Sequence, residues 1–291
     1  MRGFLLSLLR VSAIGRNTFT ELVRQKVFFF LLIFALVVIG NSSFLARFSF
    51  QEEFQMLKDV ALGAMSVFLS LLAILATANL LPRDLEDRTI FTILSKPVPR
   101  HEYLLGKLLG VVLLLTLSTV VMGGLFLTVL LLREQGVLNE TRQAFTGTPG
   151  ELAVALDQVR SAAFGPDLLP AMAIQLVKSV LLASLTLLIS TFATSGIFAI
   201  LVAASAYLIG HLQSTAREFW MAGVGIHWWT RIFAALVALV FPDLQAFNLT
   251  DDIVAGTPLP HGLFLQTVAL GAVYSVVYLA VACFLFQERE L

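Results

Sequence analysis

Lys178 is the residue most in need of a physical account, because it stands in the middle of an apolar run at 168–191. An ammonium deep in a bilayer costs about 2.5–3.5 kcal/mol on insertion scales, and such groups usually have a function. Gln175 and Ser179 fall on the same helical face, so that face meets protein or water. Two readings stand. Lys178 is a cation at a functional surface, or its stem snorkels the charge to the interface. Which holds depends on where the helix begins.

The other reactive side chains suggest no catalysis. Ser66, Ser70, Thr77, Thr116, Ser205 and Tyr207 stand singly among apolar residues, and hydroxyls so placed bond to their own helix or a neighbour. A nucleophile needs a base within reach, and none is evident. His101, His211, His227 and His261 are not spaced like a zinc motif, and His211 is expected to bond locally. One cysteine, Cys283, excludes a disulfide framework. No Gly-x-x-x-x-Gly-Lys-Ser/Thr occurs, so the chain has no phosphate loop of its own. We expect no catalytic residue, no metal and no cofactor bound by this chain.

The elements that must position these residues are membrane helices. The chain has 291 residues, 58% hydrophobic and 13% charged, against about 25% charged in soluble domains. Zero net charge gives no basic footprint for nucleic acid. Six segments reach the roughly 20 apolar residues a span requires: about 27–46, 60–81, 104–132, 168–191, 194–212 and 263–286. The third exceeds the need and is expected to tilt or project. Ala193-Thr194-Ser195-Gly196 reads as a tight turn between the fourth and fifth. Lys and Arg concentrate in the N-terminus and the 82–107 loop, which puts both termini in the cytoplasm.

Phe4, Leu8, Val11, Phe19 and Leu22 oppose Arg10, Asn17, Glu21 and Arg24 at helical spacing, predicting an interfacial helix over 4–24. Arg10 interrupts this region too early for a cleaved signal peptide. In the loop 133–167, Thr146-Gly147-Thr148-Pro149-Gly150 breaks the chain before a short helix at 151–164. Within 213–262, the run 232–241 ends at Pro242 and is too short to span. It reads as a re-entrant hairpin, with Trp228 and Trp229 at headgroup level.

The charged segment between the second and third spans carries the strongest signal. Residues 84–95 can form a short helix presenting Leu85, Ile90 and Ile93, stopped by Pro97 and Pro99. Thr89-Ile90-Phe91-Thr92-Ile93-Leu94-Ser95-Lys96-Pro97-Val98-Pro99-Arg100, then Leu104-Leu105-Gly106-Lys107, resembles the first cytoplasmic loop of ABC-2-type permeases. In that family the pattern is acidic residues, a Thr-Leu/Ile step, Leu-Ser-x-Pro-Val-x-Arg, and Leu-Gly-Lys opening the third helix. Arg88 stands where the family often has Gly. The resemblance also covers the six-span layout and the outer segment Phe241-Pro242-Asp243-Leu244-Gln245-Ala246-Phe247-Asn248.

The resemblance implies an all-α membrane subunit of an ATP-driven exporter in the inner membrane. It implies a second permease subunit and an ABC ATPase that carries the ATP and Mg. Leu85, Glu86, Asp87, Arg88, Thr89, Ile90, Ile93 and Arg100 would couple to that ATPase. The second and fifth spans would line the translocation path, with Ser66, Ser70, Thr77, Ser205 and Tyr207 favouring an amphipathic or lipid-like cargo. Two other classes stay open. A channel or secondary transporter would call for charges in several spans or internal repeats, neither of which the sequence offers. A subunit acting mechanically on a periplasmic partner would use 133–167 and 213–262.

Overall fold

The computed structural model describes residues 2–46, 53–87, 98–165, 167–222, 229, 232, 240–248 and 260–288, and these are almost wholly helical. In chain order the helices are α1 (Arg2–Val23), α2 (Lys26–Ala46), α3 (Glu53–Ala78), α4 (Leu80–Glu86), α5 (Arg100–Ala144), α6 (Pro149–Ala163), α7 (Leu168–Phe192), α8 (Gly196–Ala222) and α9 (His261–Glu288). A 3₁₀ turn at Gln245–Phe247 precedes α9. Six of these stretches are long and apolar enough to cross a membrane, as the sequence predicts.

The boundaries follow local chemistry. Pro82 falls in the first turn of α4, where a missing N–H is harmless. Pro99, in an extended conformation, opens α5. Pro149 starts α6, where the Thr148 N–H donates to Glu151 Oε2 at 3.0 Å. That backbone donor and the Thr148 hydroxyl hold the Glu151 carboxyl below its ordinary range. Ser195 Oγ accepts from the Phe198 N–H at 3.3 Å at the start of α8.

Two expectations need correction. The short helix predicted from 84 begins earlier, at Leu80, and runs to Glu86; the greater part of its predicted range, 88–95, lies outside the described residues. The loop predicted to begin at 133 is helical to Ala144, so α5 has 45 residues. At 1.5 Å per residue that is about 68 Å, twice a hydrocarbon core.

Helix α7 is the hub. In its apolar window 72% of residues are buried, against 22% in α2 and 17% in α9, so α2 and α9 lie at the periphery. Gln175 bonds to Leu62, Lys178 to Ser66, and Ser190 to the Ala78 carbonyl. This near-constant offset means that α3 and α7 run parallel. Helices α1 and α5 do the same, through Arg10–Glu102, Ile14–Gly106 and Thr18–Gly110. We call the end that holds α1, α4 and the start of α5 the base. The Arg100 guanidinium donates to the Phe286 and Gln287 carbonyls at 3.1 and 2.8 Å, placing the end of α9 at the base too.

At the far end, Arg133 forms a two-pronged pair with Glu53, one prong at 2.9 Å, and also meets Glu140 at 3.3 Å. Lys58 Nζ donates to the Ala162 carbonyl at 2.7 Å, a cation at the C-terminus of α6. The predicted hairpin over 232–241 falls mostly outside the described residues. The limb after it packs inward. The Leu244 N–H donates to the Gly210 carbonyl at 3.0 Å, the Tyr278 hydroxyl donates to Val240 O at 2.8 Å, and Phe247 reaches Gly271.

Candidate functional site

Two polar clusters interrupt the apolar interior. At the base, Asp84 of α4 is 9% exposed and receives two groups from α5. Lys107 Nζ lies 2.6 Å from its Oδ2, and the Tyr103 hydroxyl donates to the same oxygen. A buried carboxylate is tolerable only with such partners. Tyr103 is fully buried and stacks on Phe286 of α9 at 6.0 Å between ring centroids. Glu102 pairs with Arg10 of α1 at 3.4 Å, and Arg83 meets Glu21 at 3.5 Å and Asp87 at 3.6 Å. Arg83 and Gln25 border two adjoining polar clefts of about 470 and 370 Å3.

Helix α1 reaches this cluster because α5 presents glycine to it. A Cβ on Gly106 would sit 2.6 Å from Ile14 Cβ, and one on Gly110 would sit 2.6 Å from Thr18 Cβ. Within a bilayer, helices gain little from burying apolar area, so such close approach is what holds them together.

The second cluster surrounds Lys178 at the middle of α7. It lies ten residues from the start of the helix and fourteen from its end, about 15 and 21 Å. The side chain is 2% exposed. Its Nζ donates to Ser66 Oγ at 3.2 Å and meets His211 Nε2 at 3.3 Å. The Tyr207 ring centroid is 6.0 Å away. His211 Nδ1 lies 3.3 Å from the Tyr207 carbonyl. A ring that donates there keeps a lone pair on Nε2 for the ammonium. Ser70 donates to the Ser66 carbonyl at 2.7 Å and lies within hydrogen-bond reach of the Tyr207 hydroxyl.

The sequence matches the family described as ABC-2 family transporter protein over residues 12–291. The chain belongs to the ABC-2 transporter family. No curated protein matches it. It is therefore an ABC-type permease, a multi-pass membrane protein of a family whose members are non-catalytic membrane subunits.

The permease sorts the sequence candidates unevenly. Ser66, Ser70 and Tyr207 gather around Lys178. Ser205 is exposed and donates to Leu201 O of its own helix at 2.9 Å. Thr77 is fully buried, and its hydroxyl has no hydrogen-bond partner. Leu85 is partly buried, Glu86 and Asp87 are exposed, and Arg100 caps α9. Arg88, Thr89, Ile90 and Ile93 lie outside the described residues. Among the described residues no His, Cys, Asp and Glu cluster could hold a metal ion.

Sequence reasoning missed four participants. His211 joins Lys178 as well as its own helix. Asp84 is the partner of Lys107. Gly106 and Gly110 carry a readable Gly-x-x-x-Gly signal for close helix packing, although here the close partner is the N-terminal helix.

Proposed function

We propose that this permease moves an amphipathic substrate out of the cell by alternating access, driven by a separate ATPase subunit. In this reading ATP and Mg sit on the ATPase, and a second permease subunit, identical or not, completes the membrane unit. The assembly lies in the inner membrane with the base and both termini in the cytoplasm. Leu85, Glu86, Asp87, Arg88, Thr89, Ile90 and Ile93 engage the ATPase, and Arg100 anchors the loop.

The observation that carries the reading is the anchoring of both sides of segment 88–97. Before it, Asp84 is locked to Lys107 and Tyr103 of α5. After it, Arg100 grips the last carbonyls of α9. A force on the loop has short, rigid routes into two spans. ATP biases the cycle by binding one arrangement of the assembly better than the other.

The test is co-purification. Burying Leu85, Ile90 and Ile93 on an ATPase is worth about 1.5–3 kcal/mol each before ordering costs. Changing Ile90 and Ile93 together to Asp should release the ATPase from the tagged permease while leaving permease yield intact. Unchanged recovery would place docking elsewhere, with α1 the next candidate. If wild-type permease retains no ATPase in mild detergent with ATP, a channel or secondary transporter becomes the better reading.

One observation favours a second reading. The projection of α5 beyond the bundle, braced with α6 by Lys58 and Arg133, suits a subunit that works on a periplasmic partner. That role requires a stable complex with such a protein, which the same purification would retain.

A further inference from the structure

Among the described residues three lysines are buried, and they are not equivalent. Lys107 is 2.6 Å from a carboxylate, and Lys58 is 2.7 Å from a carbonyl at a helix C-terminus. Lys178 has longer contacts to Ser66 and His211 and the Tyr207 ring face at 6.0 Å, all neutral groups. Among the described residues, no carboxylate lies within ion-pair distance of it. Asp243, on the limb before α9, bears electrostatically on His211. An ammonium has three donors, and beyond Ser66 and His211 the third has only the distant Tyr207 ring face. Such a charge is costly in hydrocarbon and is relieved by an anion.

The surroundings supply a route. Ser66, Tyr207 and His211 are only partly buried. Beside them Val67 of α3 and Leu208 and Leu212 of α8 are exposed, at 49%, 59% and 62%. The two helices that hold the buried cation, α3 and α8, thus each expose apolar residues next in sequence to its contacts. One turn before Lys178, Gln175 is 5% exposed, and its Oε1 accepts no hydrogen bond, leaving an acceptor for a hydroxyl.

We propose that Lys178, with Ser66 and His211, binds the anionic headgroup of an amphipathic molecule whose alkyl chain lies along the α3–α8 seam. The proposal rests on the permease reading and names the class of its cargo. Its chemistry is a negatively charged oxygen group, phosphate or carboxylate, on a lipid-like chain.

The test uses the full-length permease in a nonionic detergent, without ATP or ATPase. Failure of the ATPase-docking experiment therefore leaves it unaffected. Dodecyl phosphate is titrated, and both the thermal unfolding midpoint and calorimetric binding are read. Inorganic phosphate and dodecyltrimethylammonium serve as separate arms. Dodecyl phosphate should bind saturably and raise the midpoint of wild type. Lys178→Gln should weaken binding by about tenfold or more, as expected for losing a charge-assisted hydrogen bond. Lys178→Arg should retain binding within about threefold, since the charge is kept. Should Lys178→Gln fail to fold, Ser66→Ala and His211→Gln should each still weaken binding. Equal affinity in wild type and in all of these variants would overturn the site. Equal binding of the cationic amphiphile would overturn anion selection. Equal binding of inorganic phosphate would overturn the amphipathic class.

Discussion

Asp84 and Lys107 are a buried pair whose parts make physical sense only together. Their side chains are 12% and 5% exposed, so the Lys107 charge relies on Asp84, which Tyr103 also supports. Removing one partner of such a pair costs about 3–5 kcal/mol, whereas replacing both by apolar groups is often neutral. Lys107→Met should therefore lower the thermal midpoint of the purified permease markedly, and Asp84→Leu with Lys107→Met should recover much of the loss. Strictly additive losses would mean that the two residues are not coupled. This pairing was not legible in the sequence. A lone Lys in an apolar run announces itself by cost, as Lys178 does. Its partners do not, because Asp84 reaches Lys107 across the 88–97 segment and His211 reaches Lys178 from another helix. Local spacing reports neighbours on one helix face, not contacts between helices.

At the scale of elements, the spans were legible because the length and apolarity that cross a bilayer are one-dimensional properties. The way they pack was less so. Amphipathicity puts Leu8 on the apolar face of an interfacial helix, and Leu8 is 51% exposed; it does not report that Gly15 and Thr18 are buried against α5. Inside a membrane apolar side chains have little reason to prefer a protein neighbour to lipid, so residue size selects the interface. Gly110→Leu should push α1 away, because even a Cβ there meets Thr18 Cβ at 2.6 Å and the Gly15 carbonyl at 2.8 Å. Amide hydrogen exchange over residues 6–23 should accelerate and the thermal midpoint should fall. Gly124→Ala is the control. Its Cβ would meet nothing within 4 Å, and trading Gly for Ala inside a helix is neutral or stabilising by about 0.5–1 kcal/mol. Equal exchange in the two variants would mean that α1 does not depend on this close approach.

For the whole molecule, the contacts sort the chain into two ends without saying which faces the cytoplasm. Arg100 ties the 98–100 strap to the end of α9, and Arg83 ties α4 to Glu21 of α1. At the opposite end Arg133 joins α5 to α3, and Lys58 joins α3 to α6. Orientation then rests on charge. Arg2, Arg10, Arg16, Arg24, Lys26, Arg83, Arg100 and Lys107 belong to the base, and an excess of basic residues near span ends favours the cytoplasmic side. Cys283, the only cysteine, is replaced by Ser, and single cysteines are placed at Glu86 and Asp157, both exposed. In intact cells an impermeant thiol reagent should label Asp157→Cys and spare Glu86→Cys, and permeabilised cells should label both. Labelling of Glu86→Cys alone would invert the molecule. The 88–97 segment would then face away from ATP, and the ATP-driven reading would fall with it. Coupling to a cytoplasmic ATPase requires the base, with α4 and the start of α5, to face the cytoplasm.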